Sequence, residues 1–238
     1  MKIRPSVYFP ISLFKGVFLP TFFWTLYTPW SKELDLQASH FFFKNGSFTS
    51  HQLLDWIYIY GLIPAWALTI LAFIGLALSF KPSYRAWRKP ALHLLLTFSV
   101  GAGLIVHALL KDHWGRPRPR QVTEFGGTLP FRAYYEPNIG NRLESLKSFA
   151  SGHTSLGYYF FAVAILGKVY RSRLMSRLGF GLALTLGILL SFTRIAQGGH
   201  FLSDTLASAL VMWLTAWAVG YCLFSPKKKR LDLCIDRQ

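Results

Sequence analysis

Six apolar runs, separated by shorter polar segments, set the layout of this chain: residues 7–27, 53–80, 91–110, 154–170, 178–192 and 204–224. A helix crosses the hydrocarbon core of a bilayer with about 20 mostly apolar residues. The pattern therefore predicts an all-α, polytopic membrane protein with six transmembrane helices in a bundle. The first run carries Pro10, Lys15 and Pro20, so its helix is expected to be kinked or to begin near Ile11. That run is long and no small-residue cleavage pattern follows it, which favours a retained helix over a removed leader. Residues 28–52 are mixed and aromatic, with Phe41, Phe42 and Phe43 in a row, and read as an interfacial segment. The fifth run is short and contains glycine. With no repeat or linker in view, residues 1–238 read as one domain.

Composition agrees with this class. The chain is 52% hydrophobic and 17% aromatic but only 15% charged, where a soluble domain carries about a quarter charged residues. A net charge of +16 would ordinarily suggest nucleic acid. Here the bases gather in short segments between apolar runs: 1–4, 81–90, 171–177 and Lys227 to Arg230, almost without acids. The positive-inside rule puts those segments, and with them both termini, on the cytoplasmic side. Orientation and attraction to anionic lipid account for the charge without nucleic acid. Segments 28–52, 111–153 and 193–203 then face the opposite side. Cys222 and Cys234 suggest no disulfide framework, and the sequon-like Asn45-Gly46-Ser47 is read as a chance match.

All the chemically suggestive residues fall on that opposite side, in three clusters at the ends of runs. Lys111, Arg116, Arg118 and Arg120 follow the third run; Ser151, Gly152 and His153 precede the fourth; Arg194, His200 and Asp204 lie between the fifth and sixth. Each alone has an ordinary explanation: a snorkelling basic anchor, a helix cap, a satisfied polar pair. Together they suggest an anion site. Asp204 follows His200 by one helical turn and is expected to hold its ring. Gly198 and Gly199 allow a sharp turn before the histidine, and a helix N-terminus beside it favours an anion.

The clusters resemble a known family. Lys111 with Arg118-Pro119 fits K-x6-R-P, Ser151-Gly152-His153 fits the end of P-S-G-H, and Arg194, His200 and Asp204 fit S-R-x5-H-x3-D from its arginine onward. This is similar to the signature of the type 2 phosphatidic acid phosphatases, relatives of bacterial acid phosphatases and vanadium haloperoxidases. The resemblance covers 111–204. Ala150 stands where the family usually has proline and Thr193 where it has serine; neither replaced residue is expected to carry chemistry. Arg116-Pro117 offers a rival pairing two residues earlier, but the family spacing selects Arg118.

The resemblance implies that His200 attacks phosphorus to form a phosphohistidine, that Asp204 fixes its tautomer, and that His153 protonates the leaving oxygen and then activates water. It implies that Lys111, Arg118, Arg194, Ser151 and the Gly152 N–H hold the phosphoryl oxygens. Arg116 is expected either behind these contacts or, like Arg120, as a substrate contact. No cofactor and no metal are implied, and the sequence has no carboxylate cluster with metal-ligand spacing. His93, His107 and Asp55 are expected in packing or interfacial roles, and His113 outside the chemistry. In the loop, Arg132, Arg142, Lys147, Tyr134 and Tyr135 are expected either to touch a headgroup or to be solvated. The implied partner is a phosphorylated membrane lipid of a bacterial inner membrane, with lipid A or phosphatidylglycerophosphate favoured and undecaprenyl diphosphate open. Lipid-to-lipid phosphotransfer through the same residues and a non-catalytic lipid-binding or transport protein are the alternatives; a haloperoxidase is disfavoured because those relatives are largely soluble.

Overall fold

A computed structural model describes residues 9–139 and 146–225. The basic segment 1–4, Arg142, the tail from Lys227 to Arg230 and Cys234 lie outside the described residues. The chain is mostly helical. It begins with a wide turn of helix, Phe14–Phe18, that runs into α1 (Leu19–Tyr27), followed by α2 (Ser31–Phe42). After a hairpin, α3 (Gln52–Tyr60) and α4 (Ile63–Leu78) form one long apolar rod, and α5 (Arg88–Leu96) continues into a π-type segment, Thr97–Lys111. The rest is α6 (Gly152–Tyr158), α7 (Phe161–Val169), α8 (Arg173–Ala196) and α9 (Leu202–Phe224).

Among the described residues, four helical stretches are long and apolar enough to cross a membrane: Gln52–Leu78, Pro82–Lys111, Arg173–Ala196 and Leu202–Phe224. The first and fourth apolar runs are helical too, but each is interrupted. Lys15 and Pro20 sit where the first changes from the wide to the regular form, and the fourth breaks at Tyr159 and Phe160.

The fifth helix is longer than its apolar run. It starts at Arg173, where Ser172 accepts a hydrogen bond from the Met175 N–H at 3.2 Å. Arg173 and Arg177, expected in a loop, are therefore helical. Arginine stems extend a helix past the hydrocarbon by reaching back to water, so apolar content alone underestimates the helix. The chain reverses before it through Arg171, whose φ is 56°.

The helices approach closely where side chains are small. Gly167 faces the Ser176 backbone, Gly179 the Ala164 backbone, and Gly157 the Gly187 backbone, so any Cβ there would collide. Small-residue seams of this kind replace the hydrophobic effect where lipid surrounds the helices. Tyr159, Ile165, Ala183, Met212 and Ala216 fill the space among α6 to α9. On α4, by contrast, Ile70, Leu71 and Phe73 are exposed, as a lipid-facing surface requires.

Segment 28–52 is more structured than an interfacial stretch. Phe43–Lys44 pairs antiparallel with Ser47–Phe48 across an Asn45-Gly46 turn with φ values of 52° and 77°. Both positive angles belong to the tight hairpin turn that Asn-Gly favours. Phe43, Phe48 and Phe125 pack beneath it with Phe201, which docks the hairpin and α2 onto the start of α9, beside the site.

Candidate active site

The three clusters come together at one end of the helices. Lys111 ends the π-type segment, Ser151 caps α6, Arg194 lies in the last turn of α8, and His200 sits just before α9. Lys111 lies close enough to Arg118 and Arg194 to feel both charges. Arg118, Arg120 and Arg194 line a cleft of about 380 Å³ with Thr49, Asp55, Tyr58 and Gln197. Lys111 and Arg118 make no ion pair among the described residues, and the buried Nε atoms of Arg118 and Arg194 have no hydrogen-bond partner there. Guanidinium groups with open donors on a concave wall suit an anion with several oxygens.

His200 is 2% exposed. Its Nδ1 lies 2.7 Å from the Ser148 carbonyl oxygen. A carbonyl can only accept, so Nδ1 carries the hydrogen and Nε2 keeps its lone pair. Burial pushes the ring down to about 4, with Arg194 and Arg118 acting in the same direction and Asp204 opposing them. The ring is neutral at pH 7, as a nucleophile must be. Gly198, at φ 61°, turns the chain before it. A Cβ on Gly199 would strike the Arg194 guanidinium, so the glycine lets that side chain lie against the backbone.

Asp204 differs from the sequence expectation. Its Oδ2 is 3.6 Å from His200 Nδ1, beyond hydrogen-bond distance, and accepts instead from Ser148 Oγ at 2.6 Å and the Phe201 N–H at 2.8 Å. The ring is oriented by the Ser148 carbonyl, while Asp204 holds the Ser148 hydroxyl and supplies negative charge nearby.

Arg116 lies outside the cleft lining, which fits the expectation of a place behind the phosphate contacts better than that of a substrate contact. It is 1% exposed, and its guanidinium lies between Asp204, at 2.5 Å, and Asp35, at 2.8 Å. It also donates to Ser203 Oγ at 2.8 Å and to the Arg132 carbonyl at 2.9 Å. Asp35 in turn accepts from the Ser203 N–H at 2.7 Å and hydroxyl at 2.6 Å. Burial opposes the Arg116 charge, but Asp204 and Asp35 overturn this and raise its pKa. The arginine ties the loop after the third run and α2 to the first turn of α9.

His153 is stacked on Tyr58, with ring centroids 4.2 Å apart and planes 15° from parallel. Arg194 lies over the other part of that tyrosine, its guanidinium carbon 4.7 Å from the ring centroid. One aromatic ring thus positions both side chains. Ser151 is buried and shares a 2.8 Å hydrogen bond with Thr154 Oγ1. Gly152 packs against the His107 ring, where a Cβ has no room. Arg120 is exposed at the cleft.

His113 is exposed, with Nδ1 2.8 Å from the Ala108 carbonyl. His93 is buried with Nε2 3.2 Å from the Ala162 carbonyl. Asp55 accepts from Gln197, which accepts from Arg194. In the loop, Lys147 pairs with Asp112 at 3.2 Å, and Tyr134 packs into a small aromatic cluster with Trp24 and Phe149. No group of three or more His, Cys, Asp or Glu placed to hold a metal occurs among the described residues.

Sequence reasoning missed Asp35, Ser148 and Tyr58. Asp35 had one available signal: with Glu33 it is one of only two acids in the segment between the first and second apolar runs. Ser148 acts largely through its carbonyl, which no side-chain pattern reveals.

Apolar helices long enough to cross a membrane carry at one end a cleft lined by arginines, with His153 and His200 near enough to feel the Arg194 charge, an arrangement of the kind that suits an anion. The chain belongs to the PAP2 superfamily, whose sequence model matches residues 92–228, more than half of it. Among curated proteins it is 33% identical over 143 residues to a lipid A 4'-phosphatase of Francisella tularensis subsp. novicida (strain U112), covering 60% of this chain and 62% of that protein. It is 32% identical over 145 residues to a protein of the same name from Rhizobium leguminosarum, covering 60% and 58%. A third, from Rhizobium etli, is 32% identical over 169 residues, covering 71% and 60%. The chain thus spans about three fifths of the length of the curated relatives it matches. No solved structure matches it.

Proposed function

We propose that this chain is a single-domain, six-span phosphatase of a bacterial inner membrane that removes a phosphate from a phosphorylated lipid. The observation that carries the reading is a buried histidine with a free Nε2, set beside arginines whose donors are open. Phosphoryl transfer needs positioning and charge neutralisation above all. Lys111, Arg118 and Arg194 neutralise the phosphoryl oxygens, joined by Ser151 and the Gly152 N–H. His200 Nε2 attacks phosphorus, the P–N bond forms and the P–O bond to the lipid breaks. Burial and Arg194 push His153 down to about 3; the negative charge of the bound phosphate offsets this, and His153 takes up a proton and gives it to the leaving lipid oxygen. Water then attacks the phosphohistidine, His153 takes a proton from it, the P–N bond breaks and inorganic phosphate leaves. Splitting one displacement into two lowers each barrier.

The relatives named lipid A 4'-phosphatase favour a phosphorylated saccharide lipid as substrate. A hydroxyl-rich headgroup would find polar partners there, since Asp55, Gln197 and Thr49 lie beside the arginines. The site is proposed to face away from the cytoplasm, because the basic segments 81–90 and 171–177 lie at the other ends of their helices.

The test is to incubate purified protein with a panel of phosphorylated lipids and measure released phosphate and lipid products. Release from a lipid A-type phosphate is expected, and it should vanish in His200→Ala while the helical signal is kept. Full activity in that variant removes His200 from the mechanism; phosphate found on a second lipid instead of in water makes the protein a phosphotransferase.

A further inference from the structure

The end of the helices opposite the histidines carries a second cationic cavity. Arg173 opens α8 and Arg194 is in its last turn, so at 1.5 Å per residue the two lie roughly 32 Å apart. A cavity of about 340 Å³ is lined there by Lys168, Arg171, Arg173, Arg177 and Ser176, with no carboxylate on its wall. A second, of about 450 Å³, shares Lys168, Ser176 and Arg177 and continues over Ile165, Phe180 and Trp213. A third, of about 470 Å³, shares Phe180 and Trp213 and continues along Leu19, Phe23 and Leu210. The three form one trough with a cationic mouth and an apolar floor, bounded by α1, α7, α8 and α9.

Basic anchors at a membrane edge normally sit on a convex surface and need no cavity. Here Ser176, only 8% exposed, lines both the first and second cavities, so its hydroxyl is open to them. Cations at the mouth, an open hydroxyl within and an apolar trough beyond match an amphiphilic anion in charge, hydrogen bonding and shape. Basic pockets between helices hold anionic lipid headgroups in this way.

We infer that this end of the protein holds one anionic glycerophospholipid. Its phosphodiester lies over Lys168, Arg171, Arg173 and Arg177 and accepts from Ser176, and one acyl chain follows the trough past Gly181 and Trp213. The site is distinct from the phosphoryl-transfer cleft and does not depend on the proposed activity.

The test uses native mass spectrometry of the purified full chain in detergent with equal amounts of dioleoyl phosphatidylglycerol and dioleoyl phosphatidylcholine. Neither is a phosphomonoester. Wild type should retain a single phosphatidylglycerol in preference to phosphatidylcholine by about tenfold or more. The paired change Arg173→Gln with Arg177→Gln should bring the two lipids near parity. Gly181→Leu should lower retention of both: Gly181 lines the trough, a Cβ there meets nothing within 4 Å, and leucine suits a helix better than glycine, so the fold should stand. His200→Ala should change nothing. Parity in wild type overturns the proposal, as does undiminished phosphatidylglycerol retention in Gly181→Leu, which would mean surface attraction alone. Loss of retention in His200→Ala would place the lipid in the other cleft and also overturn it.

Discussion

Asp35 is a sensitive point in the chain, although it touches no substrate in the proposed mechanism. Its side chain is fully buried and receives three hydrogen bonds, from Arg116 and from the Ser203 backbone and hydroxyl, at 2.6 to 2.8 Å. Asp35→Ala leaves one arm of the Arg116 guanidinium and the Ser203 N–H unpaired in the interior. Removing one partner of a buried ion pair costs about 3–5 kcal/mol. Arg116 keeps Asp204, so the lower end, about 3 kcal/mol, is expected. For a chain of this size each kcal/mol lowers Tm by about 2–4 °C, which gives a fall of roughly 6–12 °C. Asp35→Asn keeps one oxygen acceptor but sets an NH2 against a donor at the other position and loses the charge, so it should recover only part of the loss. Thermal unfolding of the purified protein, followed by circular dichroism, reads the shift. Phosphate release, assayed well below the melting range, should also fall, because Asp204 loses a fixed neighbour. A Tm within about 2 °C of wild type for Asp35→Ala would show that α2 is not fastened to α9 by these contacts and would refute the reasoning.

Other outcomes follow from the same geometry. His200 titrates at about 4 in the folded protein against about 6.5 unfolded, so the unfolded chain binds the extra proton first. Stability should therefore be full above about pH 6.5 and decline toward about 4, and His200→Gln should flatten that slope in denaturation midpoints measured across the range. Arg194→Ala should lower kcat by about 10²–10³-fold if its charge acts on the transition state; an unchanged kcat with a raised KM would limit it to binding. Tyr58→Leu should lower turnover by misplacing His153 and Arg194 together, and restored activity in Tyr58→Phe would assign the effect to the ring. A single cysteine at Glu136, in a background without Cys222 and Cys234, should react with an impermeant thiol reagent from outside the cytoplasm; labelling only from inside reverses the proposed orientation.

Much of the protein was legible in advance because membrane helices are written as local composition. The runs at 53–80, 91–110, 178–192 and 204–224 correspond to the four crossing-length helices. Motif spacing located Arg118 and Arg194, which line one cleft, and Lys111, His153 and His200, which the folded chain brings to the same end of the helices. What was missed was local too: Arg173 and Arg177 look like loop residues until a helix is seen to carry them past the lipid, and the hairpin turn at Asn45-Gly46 was not read from the sequence.

The sequence by itself determined the helical membrane class, the family and the cationic and histidine residues, since apolar run length and short motifs survive without any knowledge of packing. Tertiary structure alone decided what supports them. Arg116 meets Asp35 across 81 residues and Asp204 across 88, and Ser203 meets Asp35 across 168. Neither helical periodicity nor spacing encodes such pairs; they exist because α2 docks against the start of α9. The same docking separates Arg116, buried between two carboxylates, from Arg118 two residues on, whose Nε remains open in the cleft.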